Sequence, residues 1–202
     1  MHYLLRISYA LMLLTTSLAP AMAQLLDSAQ LSKVKVHYSL EEALKDPDSV
    51  YILVLRRAKL TEFPKEIFKF KNLQELDLSK NKLQVIPGAI GTLLNLTDLN
   101  LSRNRLGTLP PGIGNLKNLK QLIIYQNEIA SLPPEIGGLE SLTYLDMWGN
   151  ELEAMPVEIG NLKNLVELDM RVIEISDIHQ KEIHDLLPHT KIHFSNSCDC
   201  GG

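Results

Sequence analysis

The sequence has few aromatic residues and only two cysteines. Aromatic side chains make up 5% of the 202 residues, with a single Trp, although 45% of the residues are hydrophobic. A core filled by small aliphatic side chains is typical of a protein built from similar stacked layers. Cys198 and Cys200 are separated by one residue, so a disulfide between them is too local to staple the fold. Stability is therefore expected to come from aliphatic packing.

Basic residues are not in excess, and long hydrophobic runs are missing after the first 23 residues. The formal net charge is −4, and no basic stripe is visible in the sequence. Such a chain provides no positive field for nucleic acid, so we expect no nucleic-acid partner. A membrane-spanning helix needs about 20 apolar residues, which the chain after residue 23 does not offer. We therefore expect no stable membrane insertion of the mature chain.

Residues 1–23 have the features of an export signal. Arg6 precedes an apolar stretch over residues 7–18, and Ala21-Met22-Ala23 supplies a small-x-small cleavage pattern. These features predict cleavage before Gln24 and a secreted or periplasmic protein. The alternatives are an uncleaved anchor or a buried helix. If the signal is not used, an intracellular signalling adaptor becomes the interpretation.

Residues 73–164 consist of four 23-residue lines in unbroken register. Leu occupies the first place of each line, and the fourth and sixth places are Leu, Ile or Met, which point the same way from a strand. A fixed period of this length predicts stacked supersecondary units. The ninth place is always Asn, whose amide can satisfy backbone groups where the strand turns. These residues are Asn81, Asn104, Asn127 and Asn150. A Pro column presets φ beyond the turn, and a Gly column is expected to let the return arm bend tightly.

The pattern divides the mature chain into a cap, an array and a tail. Residues 24–49 form the predicted N-terminal cap, with a strand over 34–38 and a short helix started by Ser39. Six repeats cover residues 50–188. The first and last are degenerate, with Ala58 and Ile173 in place of Asn, and the last ends in a cap helix that begins at Ser176. Residues 189–202 contain a final short strand and a flexible Cys-x-Cys tail.

The form L-x-x-L-x-L-x-x-N-x-L-x-x-L-P-x-x-I-G-x-L-x-N resembles the leucine-rich repeats of bacterial secreted proteins. It is also similar to the Ras-suppressor type of repeat known from animals and plants. This resemblance implies an α/β solenoid, with a curved parallel β-sheet on its concave face and short helical or irregular return arms on its convex face. It further implies that the concave sheet binds a macromolecular partner, usually protein. The family carries no catalytic residues that can be transferred to this chain.

The outward places three, five and seven of the repeats change character midway along the array. They are small and polar in the second and third repeats but aromatic in the fourth and fifth. Clustered exposed aromatics are typical of binding sites, so we predict a protein-binding patch. Its residues are Ile123, Tyr125, Tyr144, Asp146, Trp148, Asp169 and Arg171. Alternatively, the aromatics only cover the sheet or pack against the C-terminal tail. A glycan or cell-wall module that uses Trp148 and Tyr125 is the second functional interpretation.

Enzymatic and metal-binding interpretations are weaker. Asp146 and Asp169 are neighbours in one column, and a carboxylate separation of about 5 Å is near that of retaining glycosidases. A shallow sheet, however, offers no pocket that excludes water or raises a pKa, so we predict a non-enzymatic protein without a cofactor.

His189 and His193 with Cys198 and Cys200 form a candidate zinc set. Cys-x-Cys in an exported chain equally fits a tight disulfide or two thiols for crosslinking, and we predict no metal site.

Overall fold

The computed structural model describes residues 25–195, and its eight strands form one parallel sheet in strict chain order. The strands are β1 (Val36–His37), β2 (Ile52–Val54), β3 (Glu75–Asp77), β4 (Asp98–Asn100), β5 (Gln121–Ile123), β6 (Tyr144–Asp146), β7 (Glu167–Met170) and β8 (Lys191–Phe194). Equivalent residues of successive repeats are paired, as Leu76, Leu99 and Leu122 are. The predicted α/β solenoid is confirmed. The predicted export signal and the Cys-x-Cys motif lie outside the described residues.

Short 3-10 turns form the return arms between strands. They span Pro47–Ser49, Lys65–Lys69, Gly88–Thr92, Pro111–Asn115, Pro134–Gly138 and Val157–Asn161, and the α-helices are α1 (Ser28–Leu31), α2 (Leu40–Ala43) and α3 (Asp177–Leu186). In each of the first five repeats, the residue of the Pro column immediately precedes the 3-10 turn with φ between −66° and −75°, as expected from its ring. Within residues 25–195, no helix is both long and apolar enough to cross a membrane.

Aliphatic side chains from the strands and the return arms enclose one continuous core. In the third repeat, Leu99 and Leu101 point from the strand side towards Ile113 and Leu116 of the return arm, and all four are fully or almost fully buried. The same arrangement recurs in each layer. Because a single layer would leave its upper and lower surfaces exposed, stability depends on stacking between layers.

The buried Asn column ties each layer to the one before it. The Asn104 Oδ1 accepts a hydrogen bond from the Leu83 N–H at 3.0 Å, and its Nδ2 donates to the carbonyls of Leu101 and Leu78 at 2.8 and 3.1 Å. Asn81, Asn127 and Asn150 repeat this pattern. The predicted role of the column is confirmed, because these amides pair backbone groups that the short strands leave free.

A second ladder of amides was not anticipated from the sequence. It lies at the last place of the repeat, where each Asn side chain donates to a backbone carbonyl of the preceding layer. The bonds run from Asn72 to Asp48, from Asn95 to Lys71, from Asn118 to Leu94 and from Asn164 to Glu140, at 2.7–2.9 Å. These bonds are exposed to solvent, so each is expected to contribute less than its buried counterpart.

The expected reason for the Gly column was wrong. The backbones of Gly91, Gly114 and Gly137 do not adopt the left-handed region, so no unusual bend requires glycine there. A Cβ on Gly114 would instead collide with the backbone oxygen of Glu135 in the next layer, and the corresponding collisions occur at Gly91 and Gly137. Glycine is needed because adjacent return arms approach each other closely.

The N-terminal cap differs from the prediction in its strand. β1 is shorter than the expected span of 34–38, and His37 pairs with Leu53 and is buried at 4% exposure, whereas Val36 lies on the opposite face. Val34 and Val36 line a groove there together with Leu26, whose backbone exchanges two hydrogen bonds with the Gln74 amide at 2.8 and 3.0 Å. The apolar face of the strand therefore faces the N-terminal segment across this groove and not the repeat core.

Both predicted cap helices are present. The Ser39 Oγ accepts from the Glu42 N–H at the start of α2, whereas the Glu42 carboxylate pairs with the Lys35 Nζ at 2.6 Å. At the other end, α3 begins after Ser176, whose side chain accepts from the His179 N–H. Ile183 on α3 is buried against the core, and the helix thus covers the last layer.

Candidate functional site

Two aromatic side chains lie just beyond the ends of neighbouring strands. β5 ends at Ile123 and β6 ends at Asp146, so Tyr125 and Trp148 follow two residues after each strand. Their ring centroids are 5.8 Å apart with an interplanar angle of 56°, and both side chains are partly exposed. Such a tilted pair is a favourable aromatic geometry. The two rings therefore form one surface feature that spans two layers.

An arginine lies on each side of the aromatic pair. The Arg103 guanidinium carbon is 5.8 Å from the centre of the Tyr125 ring, in the range of a cation–π contact. Arg171 occupies the layer beyond Trp148. We call these four residues (Arg103, Tyr125, Trp148 and Arg171) the rim row. Sequence reasoning missed Arg103 because it stands one place later in its repeat, where a left-handed backbone with φ of 55° redirects its side chain.

The rim row borders a shallow depression of about 370 Å³. Asp146 and Asp169 complete its lining, so five of the seven predicted site residues meet there together with Arg103. The remaining two, Ile123 and Tyr144, lie within β5 and β6 and do not line the depression. The structure therefore brings five of the predicted residues together around one depression and places the other two outside it.

The acidic residues in the depression also have a structural role. The Asp146 Oδ1 accepts from the Trp148 N–H at 3.2 Å, and the Asp169 Oδ1 accepts from the Arg171 N–H at 3.1 Å. Asp77 and Asn100 make the same bond to the residue two places on in the second and third repeats. This column thus stabilises the turn that follows each strand, which the sequence interpretation had not recognised.

Electrostatics distinguish the two carboxylates. Burial opposes ionisation of Asp169, but hydrogen bonds and the positive charge of Arg171 outweigh it and lower the pKa of Asp169. The Arg171 Nη2 lies 2.6 Å from the Asp169 Oδ2. Burial raises the pKa of Asp146, and the nearby Asp169 adds to that effect. Within residues 25–195, Asp146 forms no ion pair, so the depression contains one neutralised carboxylate and one that can receive a donor from a ligand.

The described residues do not bring together a metal site. No group of three His, Cys, Asp or Glu side chains within residues 25–195 is placed to hold an ion. In the candidate zinc set, the His193 Nε2 lies 2.7 Å from the Glu167 Oε1 and thus already has a polar partner. The two cysteines of that set lie outside the described part of the chain.

A second groove lies beside the N-terminal segment and was not predicted. It has a volume of about 680 Å³ between residues 26–36 and the beginnings of the next four strands. Leu26, Leu31 and Val36 line one side, and Gln74 and Lys120 line the other. The sequence contained no signal for it because nothing in the repeat pattern indicates where the preceding segment crosses the sheet.

Comparisons with known proteins agree with this architecture. A family model described as "Leucine rich repeat" matches residues 48–106 and 95–152, which together make up more than half of the chain. A solved structure of a leucine-rich repeat protein from Leptospira interrogans is 33% identical in sequence, with a TM-score of 0.63. The alignment covers 80% of this chain and 46% of that one, so the chain spans less than half the length of this relative. A search of curated proteins finds no significant match. The chain belongs to the leucine-rich repeat family.

Proposed function

We propose that this protein binds another protein through the depression bordered by the rim row. Leucine-rich repeat domains are commonly protein-binding modules, and the resemblance noted above carries the same expectation. The observation that supports this location is the sequence Arg, Tyr, Trp, Arg across four consecutive layers, with the aromatic pair in contact at 5.8 Å. Tyr, Trp and Arg are the residues most enriched in binding hot spots.

The shape of the aromatic pair favours a protein over a glycan. A sugar ring stacks best on a flat aromatic surface, whereas the Tyr125 and Trp148 rings are inclined at 56° and form a ridge with a recess beside it. Asp146 faces that recess without a cationic partner among the described residues, and Arg103 and Arg171 stand at its ends. A protruding side chain of a protein, held by backbone and charged groups around it, fits this combination. Glycan binding is the second candidate.

Binding can be tested with matched alanine variants of the mature chain. Capture of partners by the unaltered protein is compared with capture by a Tyr125→Ala/Trp148→Ala variant, and affinity for each captured protein is then measured. Removal of two hot-spot aromatics is expected to weaken binding at least about tenfold. Tyr38→Ala is the control, because Tyr38 is a similarly large aromatic that is 71% exposed outside the depression. Equal affinity of the double variant and the control would contradict the proposal. A glycan array with native and heat-denatured protein tests the second candidate.

We also propose that the protein acts outside the cytoplasm. The support is the charged start, apolar stretch and small-x-small motif of residues 1–23. N-terminal sequencing of the protein recovered from its native source is expected to begin at Gln24. A chain that retains Met1 and stays in the cytoplasm would contradict export and would favour the intracellular adaptor instead.

A further inference from the structure

One exposed column of the array changes the sign of its charge halfway along. The tenth place of the six repeats is basic in the first three layers and acidic in the last three. These residues, here called the charge row, are Lys59, Lys82, Arg105, Glu128, Glu151 and Glu174, and all six are exposed. If these residues only faced solvent, they would need no such order, because basic and acidic residues in a mixed order would keep the surface equally soluble.

The backbone holds the charge row in line. The N–H groups of Lys82, Arg105, Glu128 and Glu151 each donate to a carbonyl of the preceding layer at 2.8–3.1 Å. Glu174 borders the same depression as Glu151 in the layer beyond. With a layer spacing of about 4.8 Å, the row extends over about 24 Å. The backbone positions from Lys82 to Glu151 are therefore regularly spaced along one side of the solenoid.

The charges of the row are not satisfied within the described chain. None of the six forms a salt bridge inside residues 25–195, although six other pairs occur there. Neighbours of like sign strengthen each half. Arg57, Lys80 and Arg103 stand two places before the charge row in the same three repeats and add positive charge to the basic half. At the other end, Glu153 joins Glu151 and Glu174 around one depression.

We propose that two copies of this chain associate side by side and antiparallel through the charge row. A two-fold axis between Arg105 and Glu128, perpendicular to the row, reverses the direction of the row in the second copy. Each residue then lies opposite the residue that is equally far from the axis on its other side. Lys59 of one copy then faces Glu174 of the other, Lys82 faces Glu151, and Arg105 faces Glu128. Every facing pair has opposite signs, and the symmetry makes each pair occur twice. A surface that is complementary to itself in this way is what a two-fold interface requires.

A long polyanion is the competing partner, since it could lie along the basic half. A bound polyanion would give no role to the acidic half, however. The three glutamates would also repel a polyanion that continued along the row. The association of two copies uses both halves and requires them to be of equal length, as they are. Because exposed ion pairs contribute little individually, the dimer is expected to be weak and to dissociate as salt screens the row.

Sedimentation equilibrium of the full mature chain at low and at high ionic strength tests this proposal. The unaltered protein is expected to dimerise at low salt and to become monomeric at about 1 M salt, where the Debye length is about 3 Å. Lys82→Glu alone and Glu151→Lys alone each place like charges opposite each other twice per dimer. Each is expected to weaken dimerisation at least about tenfold.

The combined variant Lys82→Glu/Glu151→Lys restores opposite signs at the same two places and is expected to restore the dimer. Lys163→Glu, which makes the same change of net charge on the exposed return arm, is the control and is expected to leave dimerisation unchanged. A protein that remains monomeric at low salt, or a combined variant that stays as weak as the single ones, overturns the proposal. Binding of heparin by a monomer that Lys82→Glu abolishes would assign the basic half to a polyanion instead. Trp148→Ala should leave the dimer intact, so this result is separable from that of partner binding.

Discussion

The side-chain oxygen of Asn127 accepts a hydrogen bond from the backbone N–H of Leu106, 3.1 Å away, across the boundary between two layers. The same amide donates to two carbonyls, and Asn127 is only 7% exposed, so water cannot replace these bonds. Asn127→Leu is therefore expected to lower the free energy of unfolding by about 1–3 kcal/mol, because buried backbone groups lose their partners. Urea denaturation measures this loss.

The second amide ladder provides the control for that substitution. Asn118 donates a single bond to the Leu94 carbonyl at the exposed end of its layer. Asn118→Leu removes one amide in the same way, but water can take its place, and we expect a loss below about 1 kcal/mol. Equal losses for Asn118→Leu and Asn127→Leu would show that burial does not determine the contribution of these amides.

A pair of glycine substitutions tests the close approach of the return arms. Gly114→Ala forces a Cβ against the Glu135 backbone oxygen, and overpacking of this kind costs about 1–3 kcal/mol. Gly88 lies in the equivalent turn one layer earlier, and a Cβ there meets nothing within 4 Å. Gly88→Ala should be neutral or slightly stabilising, since Ala restricts the unfolded chain. Thermal denaturation of the two variants compares them directly, and a Gly114→Ala protein as stable as the original would contradict the role assigned to this column.

Substitution of His37 is expected to stabilise the N-terminal cap. Within the described chain both ring nitrogens of this buried histidine lack a hydrogen-bond partner. His37→Leu replaces the unpaired polar ring by an apolar side chain of similar size opposite Leu53, and we expect a gain of about 1–2 kcal/mol. His189→Leu, at an exposed position, is the control and should change stability little. A loss of stability in His37→Leu would indicate that an ordered water satisfies the ring.

Asp146 should make stability depend on pH. Because burial raises its pKa in the folded protein, the folded state holds this proton more tightly than the unfolded state does. Its unfavourable effect is therefore absent below the ordinary Asp pKa of about 3.9 and develops as the pH rises through the raised value. Asp146→Asn should be more stable than the original at about pH 7, with the difference vanishing below about pH 3.5.

The repeat itself offers a precedent for this substitution. Asn100 occupies the same place two layers earlier and accepts the equivalent bond from the Ser102 N–H at 3.0 Å. Asparagine at position 146 can thus keep the bond to the Trp148 N–H while it removes the charge. Melting temperatures of both proteins across the acidic range measure the effect. A difference that grows towards low pH would show that the assigned direction of the pKa shift is wrong.

The repeated residues made most of the fold predictable. A period of 23 residues determines which side chains share a column, so the core leucines, the buried Asn column and the Pro before each turn could all be located without a structure. The same register predicted that Tyr125 and Trp148 lie side by side. These predictions depend only on spacing, and spacing is what the sequence records directly.

Features that depend on contacts between non-equivalent residues could not be predicted. The approach of Gly114 to Glu135 depends on how closely the arms stack, and the burial of His37 depends on which face of β1 the N-terminal segment covers. Arg103 joined the site through a left-handed backbone that changes its direction. The sequence interpretation that no basic stripe is visible was wrong, because Arg57, Lys80 and Arg103 form a basic column at one place of the first three repeats.

The strict chain order of the sheet has a mechanical consequence. Each strand bonds only to its neighbours in sequence, and those bonds point from layer to layer along the length of the solenoid. A force that pulls the two ends apart therefore loads these bonds in tension and opens one boundary at a time, beginning at an end. Each released layer of 23 residues lengthens the molecule by about 75 Å. The protein is thus expected to extend under tension in a series of steps of equal length.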